Sequence, residues 1–149
     1  MKMGNWEEFD KAAFFLEIGK PLARAKTIKE TLDAIMFQVG RYFEPVHWSV
    51  LLKDSKTGDF RFTAVVGKYS EVLQGKILPK GKGIAGWITH YGEPLIIKDR
   101  SKDNRLLAGY ELLNGFEIDS AIGAPIKIDE KIFGVIELVN KLDGRTFSE

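Results

Sequence analysis

Cysteine is absent from the 149-residue chain. That omission excludes disulfides, thiolate zinc sites, cysteine nucleophiles and thioether-linked chromophores. Histidine is nearly as scarce: His47 and His90 are the only two, and neither has a Cys or His neighbour at metal-ligand spacing. His90 reads as a surface residue, with axial ligation of a haem as the alternative. Charge of one sign is not in excess either, since 22 Lys plus Arg stand against 21 Asp plus Glu. The basic residues are dispersed, so no field draws nucleic acid or an anionic membrane surface. No apolar run approaches the ~18 residues of a membrane span. The start, Met1-Lys2-Met3-Gly4-Asn5-Trp6-Glu7-Glu8, lacks the basic n-region and apolar core of a signal peptide. The expected location is cytoplasmic, with no nucleic-acid partner and no membrane. A Gly-x-Ser-x-Gly elbow and a P-loop are also missing, so the chain is expected to be non-catalytic.

What is present fits one globular domain over residues 1–149, with 44% apolar and 29% charged residues. An N-terminal helix is expected over about residues 5–18, where Trp6, Phe9, Ala13 and Leu16 recur at helical spacing. Phe14 and Phe15 widen its apolar surface, which suits either plain core packing or a partner helix. Thr27-Ile28-Lys29-Glu30 has the form of a capping box. Ile28, Leu32, Ile35, Met36, Val39 and Phe43 then mark the strongest helix, and Pro45 ends it near Phe43.

Strands are expected over 47–53 and over 60–66, where Phe60, Phe62, Ala64 and Val66 alternate. The turn chemistry of 54–59 joins them. Residues 67–82 read as mostly loop, with a short edge strand near Ile77. A helix over about 84–91 stops at Gly92, and Leu95-Ile96-Ile97 is a short buried strand. Asp99 opens a polar loop, and 106–114 reads as a further helix. Ile122, Ala124, Ile126 and Ile128 alternate up one strand, Asp129-Glu130 turns the chain, and 132–140 returns. Hairpins near both ends imply an α+β fold, a largely antiparallel sheet with helices on its faces.

Two segments resemble the signature of GAF domains. One is Leu78-Pro79-Lys80-Gly81-Lys82-Gly83-Ile84-Ala85-Gly86-Trp87, followed by Gly92-Glu93-Pro94 and Ile97-Lys98-Asp99. The other is Ala124-Pro125-Ile126 with Gly134-Val135-Ile136-Glu137-Leu138-Val139-Asn140-Lys141. Asn140-Lys141 followed by Phe147 is similar to a motif of the GAF domains in cyclic-nucleotide phosphodiesterases. The resemblance covers about residues 10–149. It implies a six-stranded, mainly antiparallel sheet in a three-layer arrangement, with helices on one face and a loop and short-helix lid over a ligand pocket on the other.

The function so implied is a small-molecule-sensing regulatory domain in signal transduction. Its terminal helices would relay the signal through a homodimer to a C-terminal output domain. Arg145-Thr146-Phe147-Ser148-Glu149 looks like the entry to such a helix, so the chain is expected to be a fragment of a longer signalling protein. The alternative is a dimerisation or interaction module whose pocket is filled by its own side chains, an option kept open by Leu106, Leu107, Leu112 and Leu113.

By similarity to cyclic-nucleotide-binding members, the pocket would draw on Ser49, the backbone of Ile84 and Ala85, Glu137, and residues of 104–118. A helix N-terminus at Ile84 suits an anionic group or a carbonyl. Other readings stand beside these. Gly81, Gly83 and Gly86 serve either ligand approach or tight packing; Ser49 lines the pocket or faces solvent; Asn140 and Lys141 close the domain structurally. The chain departs from the cyclic-nucleotide pattern at Val66-Gly67-Lys68-Tyr69, where a Phe-Asp pair is expected, and at Leu112, Leu113 and Ile118. The ligand therefore stays open among cyclic nucleotides, a non-covalent haem or tetrapyrrole, and other metabolites. The branch of the family that reduces free methionine sulfoxide uses thiolates, which this chain lacks.

Overall fold

The capping box at Thr27 forms in a computed structural model that describes residues 19, 21, 23–103 and 118–147. Thr27 Oγ1 accepts from the Glu30 amide at 3.1 Å. The Glu30 carboxylate reaches back one residue further than the motif expects and accepts from the Lys26 amide at 2.6 Å. Helix α1, Ile28–Phe43, follows and buries Met36, Gln38 and Val39. It ends where Pro45 requires, with Glu44 in the left-handed region (φ 48°, ψ 50°) and its N–H on the Gly40 carbonyl. The expected N-terminal helix and the helix over 106–114 lie outside the described residues.

Six strands make one sheet: β1 (Pro45–Lys53), β2 (Phe60–Gly67), β3 (Ile77–Leu78), β4 (Leu95–Ile97), β5 (Ala121–Ile128) and β6 (Lys131–Lys141). Their spatial order is β3-β2-β1-β6-β5-β4, and every pairing is antiparallel. The short strands β3 and β4 occupy the edges; the proline after Leu78 leads one to expect this of β3, while β4, read as a short buried strand, takes the other edge. Between β2 and β3 the segment read as loop contains one helical turn, α2 (Ser70–Leu73), whose Leu73 is buried. Helix α3 (Gly83–Tyr91) stops at Gly92, which takes φ 71° and donates its N–H to the Ile88 carbonyl at 2.7 Å. A 3₁₀ turn, Arg100–Lys102, occupies the polar loop after β4.

The two sheet faces carry separate cores. On one, Ile35, Val39 and Phe43 of α1 pack with Trp48, Ile122, Ile136, Leu138 and Phe147. On the other, α2 and α3 cover Leu51, Phe60, Phe62, Leu95, Ile97, Val135 and Val139.

Two bulges decide which residue goes to which face. Leu51 pairs with Phe62 but Val50 pairs with Ala64, so Thr63 is an extra residue in β2. The expected alternation of Phe60, Phe62, Ala64 and Val66 therefore breaks. Val65 joins Phe62 on the α3 face, and Ala64 turns toward α1. Likewise Ile126 pairs with Gly134 and Lys127 with Ile132, leaving Phe133 as the extra residue in β6. Ile122 faces α1, whereas the buried Ala121 and Gly123 on either side of it face α3; Ile128, past the bulge, is exposed.

Candidate functional site

Residues directly opposed on neighbouring strands share a sheet face. Across the middle of the α3 face runs the row Val65, Ser49, Glu137, Gly123, Leu95, each opposite the next. The adjacent row is Gly67, His47, Val139, Ala121, Ile97. Alternation along β1 and β6 thus brings three polar side chains onto a face whose buried core is apolar. All three are buried, at 2% exposure for His47, 0% for Ser49 and 1% for Glu137. The bland alternative for Ser49, a solvent-facing position, does not hold.

Buried hydroxyls and carboxylates are expected to be satisfied. Ser49 Oγ has no hydrogen-bond partner among the described residues. Glu137, its neighbour across the β1–β6 pairing, supplies an acceptor-rich group beside it.

Helix α3 lies over the same row. A Cβ placed on Gly123 would meet Ile84 Cγ2 at 2.4 Å and Ile88 Cδ1 at 2.6 Å. The absence of a side chain at Gly123 is therefore what lets α3 settle onto β5 next to Glu137. Ile84 and Ala85 are fully buried in the first turn. The Gly86 amide makes the first intrahelical bond, to the Lys82 carbonyl at 2.9 Å. The amides of Gly83, Ile84 and Ala85 are thus those that an α-helix leaves without an intrahelical acceptor. Gly86 has a packing role: a Cβ there would stand 2.4 Å from the backbone carbon of Gly81. Ser49, Ile84, Ala85 and Glu137 therefore sit together on one face.

His47 was not singled out from sequence as a site residue, although it stands two positions before Ser49 and so shares its face. Burial lowers its pKa to about 4 from the ordinary 6.5, which leaves the ring neutral at pH 7. Its ring meets that of Tyr69 edge-on, with centroids 5.7 Å apart. Tyr69 is itself capped by the Lys68 ammonium at 5.5 Å. Val66-Gly67-Lys68-Tyr69, the stretch that departs from the cyclic-nucleotide pattern, thus borders the polar row.

His90 lies on the exposed side of α3, edge-on to Tyr91. Asn140 closes the domain: its Oδ1 accepts from the amides of Asp119 (2.7 Å) and Ser120 (3.1 Å), and its own amide donates to the Ser120 carbonyl at 2.9 Å. Lys141 lies over the Phe147 ring at 5.9 Å. Among the described residues no group of three or more His, Asp or Glu is placed to hold a metal ion, and no helix is long and apolar enough to cross a membrane.

This chain has relatives among known proteins. It is 27% identical over 156 residues to the dual 3',5'-cyclic-AMP and -GMP phosphodiesterase 11A of Takifugu rubripes, covering 96% of this chain and 17% of that protein. It is 36% identical over 130 residues to the "Probable 3',5'-cyclic phosphodiesterase pde-5" of Caenorhabditis elegans, covering 76% and 17%. The chain thus spans less than a fifth of the length of these relatives.

Among solved structures, the GAF domain of an Acinetobacter phosphoenolpyruvate-protein phosphotransferase is similar with a TM-score of 0.76 at 21% identity, over 93% of this chain and 80% of that one. The free methionine-R-sulfoxide reductase of Neisseria meningitidis, in complex with its substrate, gives 0.68 at 20% identity, over 87% and 75%. Likeness at such identity shows the fold, which is shared here by one domain of a phosphotransferase and by a reductase. The matching family model, GAF domain, spans residues 27–149. It begins at the capping box of α1, later than the start near residue 10 read from the sequence. With more than half its length matched, this chain belongs to the GAF domain family.

Proposed function

We propose that this chain is a non-catalytic sensor that binds a small molecule on the α3 face of its sheet. Ser49 and Glu137 would form the polar floor, and the first turn of α3 at Ile84 and Ala85 the wall. The observation that carries this reading is Ser49: a fully buried hydroxyl with no partner among the described residues, directly opposite Glu137 and on the same face as the buried His47. A ligand group that donates to Glu137 and exchanges a hydrogen bond with Ser49 explains why polar residues persist there.

GAF domains are generally regulatory. The chain has no cysteine with which to perform thiolate chemistry. The phosphodiesterase relatives make cyclic nucleotides the first ligands to test. The sensed state would pass through terminal helices to a homodimer partner and an output domain. The second reading, an interaction module without a ligand, draws on α1, where Ile28 and Phe37 are exposed at 74% and 67%.

The test is a thermal-shift screen of the purified chain against cyclic mono- and dinucleotides, other nucleotides, haem, bilins and common metabolites. A ligand at 100 times its dissociation constant adds about 2.7 kcal/mol. For a domain of this size the midpoint then rises by roughly 2–8 °C. A reproducible shift that disappears in Glu137→Gln supports the sensor reading and names the ligand class. No shift from any compound moves the reading to the interaction module.

A further inference from the structure

The start of α3 raises a mechanical question, because the residue at its N-cap cannot do the capping. Lys82 occupies that position and makes no side-chain cap bond; its ammonium is a donor, whereas a cap must accept. The first turn is held instead by what precedes it. The Lys82 amide bonds to the Pro79 carbonyl at 3.2 Å, and Gly81 packs directly against Gly86. The turn over 79–82 is in turn fastened to a distant piece of chain. The Lys80 amide donates to Asp59 Oδ1 at 2.8 Å, across 21 residues. The aliphatic part of Lys80 lies over Gly58, where a Cβ would meet Lys80 Cδ at 2.9 Å.

Asp59 is itself well anchored at the end of the β1–β2 turn. Its carbonyl accepts from the Asp54 amide at 2.8 Å, and its amide donates to Thr57 Oγ1 at 3.2 Å. Asp54 Oδ1 gathers the amides of Lys56 (2.8 Å) and Thr57 (3.0 Å), and the Asp54 carbonyl takes the Gly58 amide at 2.9 Å. The turn is thus a bonded bracket whose Asp59 carboxylate points outward to grip the segment that leads into α3.

From this we infer that Asp59 is a positioning residue for the α3 face: a surface carboxylate that fixes the first turn of α3 from the β1–β2 turn. The route runs from Asp59 to Lys80, to Gly81 seated against Gly86, to Ile84 over Gly123. Its mechanical part stands on these contacts alone; its functional consequence rests on the α3 face being the binding site. On that reading, anything that displaces the exposed turn at 54–59 alters the site without touching the ligand.

Amide hydrogen exchange followed by NMR on the whole 149-residue chain tests the mechanical part with no ligand needed, so failure of the sensor reading leaves it untouched. The Gly86 amide reports opening of the first turn of α3, and the amides of the central strand β6 report global opening. In Asp59→Ala, Gly86 and Lys80 are expected to exchange roughly tenfold faster, as loss of one charge-assisted hydrogen bond implies, with β6 unchanged. Asp59→Asn keeps an acceptor oxygen and is expected to return Gly86 toward the parent rate, which a purely electrostatic role would not allow. The inference is overturned if Gly86 keeps its parent rate in Asp59→Ala, or if Gly86 and β6 accelerate together.

Discussion

The two faces of the sheet are built from the same strands but solve different problems. On the α1 side the sheet contributes apolar side chains and Trp48, whose polar atom is engaged; the buried Gln38 of α1 leaves its Oε1 without a partner among the described residues. Trp48 packs against Gly40, where a Cβ would meet its ring at 2.5 Å, and donates Nε1 to the Met36 carbonyl at 2.9 Å. On the α3 face, His47, Ser49 and Glu137 are buried among Leu51, Val135 and Val139. Burying such groups works against folding unless they are bonded. A sheet face made only for stability has no need of them, and the strand residues facing α1, Trp48, Ile122, Ile136 and Leu138, show that this sequence can make one. The contrast is the reason for proposing the α3 side as the binding face.

That contrast can be broken most severely at Trp48. Trp48→Ala is expected to lower stability by about 3 kcal/mol or more, through lost packing on α1 and loss of the indole hydrogen bond to Met36. Urea midpoints with an unchanged m-value would check it. Trp48→Phe, which keeps most of the packing, is expected to cost only about 1 kcal/mol.

The α3 face is expected to reveal itself next, through acid. His47 has a folded pKa of about 4 against 6.5 in the unfolded chain. Between those values the unfolded state binds the extra proton, so stability is full above pH 6.5 and is lost as pH falls toward 4. At about 1.4 kcal/mol per unit, His47 accounts for about 2 kcal/mol of loss between pH 7.5 and pH 5. Denaturation midpoints across that window are expected to fall in the parent and stay nearly level in His47→Gln. An equal fall in both would assign the loss elsewhere.

The smallest effect comes from a position on neither face. Glu44 holds a left-handed conformation at φ 48°, which a side chain resists and glycine accepts. Glu44→Gly is expected to raise stability by about 0.5 kcal/mol, with the added flexibility of the unfolded chain taking back part of the gain. Because it leaves both cores intact, it serves as a neutral reference for the other variants.

Much of the architecture was legible in residue order. Thr27 and Glu30 announced α1, Pro45 its end, Gly92 the end of α3, and the turn residues of 54–59 the first hairpin. What pattern reading missed were the bulges at Thr63 and Phe133. A period of two, once assumed, cannot show where one extra residue switches the face. Ala64 was for that reason assigned to the side that Val65 takes. Ser49 and Glu137 became candidates through family resemblance. Their opposition across β1 and β6 is a matter of register, set by pairing between segments almost 90 residues apart. His47 was within reach of the sequence as the residue two before Ser49. Its burial was not, since nothing local distinguishes a buried histidine from an exposed one.

The most direct measurement of the central claim compares the faces in one experiment. With the compound that gives the largest thermal shift on the parent chain, binding is measured by calorimetry for Ser49→Ala and for Trp48→Phe. The account predicts that Ser49→Ala folds as stably as the parent, or slightly more so, yet loses at least tenfold in affinity. Trp48→Phe is predicted to lose stability and keep its affinity. A Ser49→Ala chain that binds like the parent, or a Trp48→Phe chain that no longer binds, would contradict the assignment of the site to the α3 face.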